Sequence, residues 1–109
     1  MATSSATSEL AARAEGVAAH LALMASAPRL MILCHLVEHG ESSVSAIRAT
    51  VGLSQSALSQ HLARLREAGL VATRRDGQAI HYRLADEATR AIMAALYDTF
   101  CAPDGEKSR

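Results

Sequence analysis

The stretch Leu53–Val71, LSQSALSQHLARLREAGLV, limits what this chain can become more than any other part of it, because it holds a helix with both ends marked. Ser54 supplies a hydroxyl that can cap the free amides of a first turn, and Gly69 sits where a left-handed residue ends the last one. The spacing predicts a helix from Ser54 to Ala68. Leu58, Leu62 and Leu65 recur at helical spacing and want a core, while Ser56, Gln60, Ala63 and Glu67 fall on the far side, flanked by Ser59 and Arg64. That far face is flat, short and hydrogen-bonding. It suits the DNA major groove, where such side chains reach base edges and phosphates. Taken alone, the stretch fits an ordinary amphipathic surface helix equally well.

The residues after it separate the two readings. Asp76-Gly77 lies between two short runs, Leu70–Arg75 and Ala79–Leu84, a strong signal for a tight hairpin. With Asp76 and Gly77 as the loop of a type I′ turn, Arg75 pairs with Gln78, Thr73 with Ile80 and Val71 with Tyr82. Val71, Thr73, Ile80, Tyr82 and Leu84 then share one buried face. The tip presents Arg74, Arg75 and Gln78 within reach of phosphate or the minor groove, and His81 on the outward face is a further phosphate candidate. A helix-turn-helix followed by a basic hairpin is a winged helix, a mainly helical (α+β) fold.

At 109 residues the chain has room for one small domain. Half its residues are hydrophobic, yet only Tyr82, Tyr97 and Phe100 are aromatic, so the core must be aliphatic. The formal net charge is zero, which argues against nucleic acid until its distribution is considered. Between Ser42 and Arg83 six arginines face only Glu67 and Asp76. Arginine suits phosphate and guanine through its planar fork. No apolar run approaches the ~18 residues of a membrane span, and the N-terminus lacks the basic region of a signal peptide. A cytoplasmic protein with no membrane partner is expected.

The remaining elements follow from caps and spacing. Residues 1–7 are Ser, Thr and Ala and read as a disordered tail. From Ser8 to Met24, Leu10, Ala14, Val17, Leu21 and Met24 form the stripe of a first helix, of the kind found in dimer interfaces. Ser26 caps a second helix, Pro28–Glu38, apolar on nearly all sides and ended by Gly40. Ser43–Thr50 forms a third with Val44, Ile47 and Val51 inward, and Gly52-Leu53 turns into the recognition helix. Asp86 caps a last helix running to about Cys101, with a stripe of Ala88, Ile92, Ala95, Leu96 and Thr99 or Phe100, and Pro103 stops it. That stripe is expected to meet a first helix, from the same or a second subunit. The domain is thus placed at residues 8–103, with a polar tail over 104–109.

In this order of elements the chain resembles the ArsR/SmtB family of bacterial repressors, over about Leu21–Pro103. The motifs that carry the resemblance are Pro28-Arg29-Leu30, LSQSALSQHLARLREAGLV and RRDGQAIHYRL. It implies a homodimer on near-palindromic operator DNA, with Ser54, Gln55, Ser56, Ser59, Gln60 and Arg64 at the major groove and Arg74, Arg75, Gln78 and His81 on the wing. Members that sense soft metals carry paired cysteines in ELCVCDL. The matching residues are Glu41–Ile47, with serines at both ligand positions, Ser43 and Ser45. Members that sense zinc, cobalt or nickel carry Asp and His pairs on the last helix, and DEATRAIMAALYDTFC has no histidine. No metal site and no cofactor are expected.

Two cysteines remain, Cys34 in ILCHL and Cys101 in TFCAP, and neither belongs to a Cys-x-x-Cys pair. By themselves they fit small buried hydrophobes. With their flanks, ILCHLVE and Tyr97 with CAP, they resemble the BigR/SqrR branch of the family, whose dithiol senses persulfides. The resemblance implies a repressor released from DNA when reactive sulfur species bridge Cys34 and Cys101 within a subunit. The alternatives are a metal or metalloid sensor using the same thiols and a general oxidant sensor; no acid/base constellation points to an enzyme. Of the histidines, His35 reads as a partly buried polar residue and His61 as a residue fixing helix packing, while His20 and His39 carry no signal.

Overall fold

The computed structural model describes residues 2–101, with side-chain surroundings from 7 to 100. Five α-helices, α1 (Ala2–Met24), α2 (Ala27–His39), α3 (Val44–Val51), α4 (Gln55–Glu67) and α5 (Glu87–Leu96), are joined by three strands: β1 (Ser42–Ser43), β2 (Val71–Asp76) and β3 (Ala79–Leu84). A π-helical turn, Tyr97–Cys101, extends α5. The strands form one antiparallel sheet in the order β1-β3-β2. This is the winged helix-turn-helix expected, with α3 and α4 as the helix pair and β2–β3 as the wing.

The caps fall where the side chains required them. Ser26, Ser43 and Ser54 each accept a hydrogen bond from a backbone amide three residues on, from Arg29, Ala46 and Ala57. Asp86 Oδ2 does the same for Thr89 at 2.9 Å. Gly40 and Gly52 end α2 and α3 with positive φ, a conformation a side chain resists. Ile32, Leu33 and Leu36 of α2 meet Ile47 and Val51 of α3, Leu58, Leu62 and Leu65 of α4, and Met93 of α5 in one core that also takes Met24, Leu70, Val71 and Leu84. α2 is central, packing against α1, α3, β3 and α5.

Four boundaries or registers differ from the expectations. α1 begins at Ala2 rather than Ser8, running through the stretch read as a tail, where Ala2 and Ala6 favour helix by propensity alone. β1 has no counterpart in the sequence reading, since two residues show no period and pair only because β3 is alongside, Ser42 with Tyr82 and Ser43 with His81. The hairpin loop is Gly77-Gln78, not Asp76-Gly77: Asp76 pairs with Ala79, Arg75 with Ile80, Arg74 with His81, Thr73 with Tyr82 and Val71 with Leu84. A type I′ loop at Asp76-Gly77 would need positive φ at both residues, whereas here only Gly77 has it, at φ 66°. Each partner moves by two, so every side chain keeps its face and the predicted buried face stands. On α5 the inward positions are Thr89 and Met93; Ile92 and Leu96 are half-buried, and Ala88, Ala95, Thr99 and Phe100 face outward. The expected 104–109 tail and Pro103 lie outside the described residues.

Candidate DNA-binding surface and thiol pair

The α4 stripe divides the helix cleanly. Leu58, Leu62 and Leu65 are buried, and Gln55, Ser56, Ser59, Gln60 and Arg64 are exposed together with the capping residue Ser54. Arg48 of α3 donates to the Leu53 carbonyl (3.3 Å), tying the turn before α4. Arg29 fixes α4 from the other side. Its Nε donates to His61 Nδ1 (3.2 Å) and its Nη1 to the Leu23 carbonyl (3.0 Å), so one side chain joins the end of α1, α2 and α4. His61 therefore serves packing, as its sequence position indicated. The role of Arg29 was visible in sequence only as part of Pro28-Arg29-Leu30.

The wing stands beside α4. Ser43, Ser45, Gln55, Ser59 and Gln78, with Val44, Ala79, Ile80 and Tyr82, line an open groove of mixed polar and apolar character between the recognition helix and the sheet. Arg75 and Gln78 are exposed near the tip, and His81 is half-buried. Arg74 is engaged rather than projecting: its Nε and Nη2 donate to Glu41 Oε1 at 3.0 and 2.7 Å. The Arg74 hydrogen bond holds the Glu41 carboxyl below its ordinary range, with the Arg74, His81 and Arg83 charges acting in the same direction. Glu41 was not singled out from sequence except as part of the soft-metal motif. Its partner lies across the sheet and leaves no local trace.

The serines standing for metal-binding cysteines are otherwise occupied or open: Ser43 caps α3, and Ser45 is exposed. Among the described residues no group of three or more His, Cys, Asp or Glu could hold a metal ion. Cys34 is half-buried on α2 against the core. The turn ending at Cys101 packs on α2 and α5, so the two cysteine-bearing segments touch; the Cys101 side chain lies outside the described residues. Beside Cys34, His35 is buried. Ser42 Oγ donates its proton to the Gly40 carbonyl (3.0 Å), so His35 Nε2 donates to that oxygen (3.1 Å) and Nδ1 is left as a buried acceptor without a partner. Burial, then the nearby His39, pushes the His35 pKa down, against a smaller opposing effect of Glu38.

A polar recognition helix on a small helical core, flanked by an arginine-bearing hairpin, defines a winged helix-turn-helix transcription regulator. The chain belongs to the arsR family of bacterial regulatory proteins, whose pattern matches residues 27–73. The biofilm growth-associated repressor of Agrobacterium fabrum is 46% identical over 92 residues, covering 84% of this chain and 78% of that protein. The HTH-type transcriptional regulator YgaV of Escherichia coli is 44% identical over 93 residues, 85% of this chain and 94% of that protein. The crystal structure of the transcriptional repressor BigR from Xylella fastidiosa matches with a TM-score of 0.78 at 41% identity, over 89% of this chain and 98% of that one. The chain is a transcriptional repressor of this family, and no single described helix is long and apolar enough to cross a membrane.

Proposed function

We propose that this repressor is a homodimer that binds near-palindromic operator DNA in the cytoplasm and lets it go when reactive sulfur species bridge Cys34 and Cys101. The observation that carries the reading is the packing of the turn ending at Cys101 against α2, which bears Cys34: a bridge joins segments already in contact. One thiolate takes the outer sulfur of a persulfide R–S–SH and releases RSH. The other thiolate then attacks the inner sulfur and expels hydrosulfide, leaving a disulfide, and each further persulfide consumed before closure lengthens the bridge by one sulfur. A bridge between α2 and the end of α5 bears on the relative position of the two recognition helices. A coupling of ~1–3 kcal/mol lowers operator affinity about 5- to 150-fold.

The exposed polar face of α4 and the wing tip support the DNA contacts, His81 alone among them being half-buried. Ser54, Gln55, Ser56, Ser59, Gln60 and Arg64 address the major groove, and Arg74, Arg75, Gln78 and His81 address the backbone from the wing. The dimer is built on α1 and α5. Leu10, Val17 and Leu21 of α1 and Phe100 after α5 are exposed within the subunit, beside an apolar groove of Gly16, Val17, Ala88 and Ile92. An uncovered stripe of this size calls for a partner. The test is operator binding and intact mass after exposure to an organic persulfide. Release is expected for the wild type, with an intact mass lower by two hydrogens for a disulfide and higher by one sulfur for each atom added to the bridge, and retention is expected for Cys34→Ser and Cys101→Ser. Release that persists in both variants defeats the thiol switch.

A further inference from the structure

We propose that Glu41 occupies the guanidinium fork of Arg74 in the free protein, so that DNA takes this wing cation only by displacing a carboxylate. The proposal rests on the wing's being a DNA contact. Two N–H groups of Arg74 converge on one oxygen of Glu41, so the donors that a guanidinium fork would turn to a phosphate are already engaged by an anionic oxygen. The ligand whose place Glu41 takes is a backbone phosphate.

The pair is set by the sheet rather than by chance proximity. Arg74 lies on one edge strand, β2, and Glu41 leads into the other, β1; between them runs β3, where His81 is opposite both Arg74 and Ser43. The strand register fixes both backbones, so the contact spans the sheet. Its side chains remain 50% and 30% exposed, open enough for exchange with a phosphate. Arg75, next along β2, is opposite Ile80 and makes no ion pair among the described residues. The two wing arginines thus start in different states, one held and one open. Arg74 also feels the Asp76 charge, and Glu41 those of His81 and Arg83, so this face of the sheet is close to charge-balanced. Binding then releases fewer counterions than the arginine count implies.

The experiment compares wild type, Glu41→Gln, Arg74→Gln and the double variant on a duplex that the wild type selects from a random pool, over a salt series. An exposed pair contributes little to folding, and circular dichroism checks that the variants are intact. Glu41→Gln is expected to bind several-fold tighter at low salt, with the slope of log affinity against log salt steeper by about one. In the Arg74→Gln background that steepening disappears. Unchanged or weaker binding by Glu41→Gln overturns the proposal, as does an equal gain with and without Arg74, which would be plain loss of a negative charge. A wild type with no salt-sensitive duplex binding defeats the DNA reading itself, and this inference with it.

Discussion

His35 shows how much one residue's surroundings matter. Its position on an apolar helix was readable, but not that Ser42 Oγ would accept a hydrogen bond from its Nε2 while Nδ1 is buried unpaired. A proton on Nδ1 would have no acceptor, which is why burial depresses the pKa. The unfolded chain therefore binds the proton more readily. Stability is complete above the ordinary imidazole value of 6.5 and declines as pH falls from there toward the folded pKa. Urea midpoints measured from neutral pH downward are expected to fall in that window, above the range where Glu41 and Asp86 lose their charge. His35→Gln removes that portion of the slope; an unaltered slope would place the titration elsewhere. Ser26, Ser54 and Asp86 are the opposite case, since a cap acts within its own turn and local sequence is enough to find it.

At the level of elements, the wing separates face from register. Alternation of side chains assigned Val71, Thr73, Ile80, Tyr82 and Leu84 to one face correctly, because parity survives a shift of two. The loop position depended on which residue tolerates positive φ, and the chain places Gly77 there alone. Gly77→Ala is expected to lower stability by about 1–2 kcal/mol, the penalty of a left-handed side chain. Asp76→Ala, at a strand position, changes stability by less than about 0.5 kcal/mol. Thermal unfolding of the two variants decides it: a loss at Asp76→Ala comparable to that at Gly77→Ala would restore the Asp76-Gly77 loop, in which both residues need positive φ. α5 carries a similar lesson. Packing took Thr89 and Met93 as the inward pair, one of them a polar residue that an apolar stripe would not select, and left Ala88 and Ala95 exposed in the subunit.

For the whole molecule, the exposed stripe of α1 is the surface on which the proposed dimer depends. Leu10, Val17 and Leu21 stay 67%, 51% and 44% exposed in the subunit, and only Met24 from that stripe reaches the core. Sedimentation velocity is expected to give a dimer for the wild type and a monomer for Val17→Glu, with operator binding weakened because half-sites about one helical turn, ~34 Å, apart are no longer bridged. A wild-type monomer that binds DNA at full strength would remove the dimer from the proposal. The proposed persulfide response belongs to this scale too, since a bridge between α2 and the end of α5 would have to act on DNA through how two recognition helices are held.

The helices, the caps at Ser26, Ser54 and Asp86 and the polar face of Leu53–Val71 were legible in the residues themselves, because each rests on interactions within a turn or along one helix. Tertiary structure alone decided what crosses the chain. It brought Arg29 to His61, Glu41 to Arg74, β1 to β3, and the turn ending at Cys101 to the helix of Cys34. The reason is physical: a cap or a period is written in neighbouring residues, whereas a pairing of residues 33 apart along the chain depends on how a finished core sets two backbones side by side.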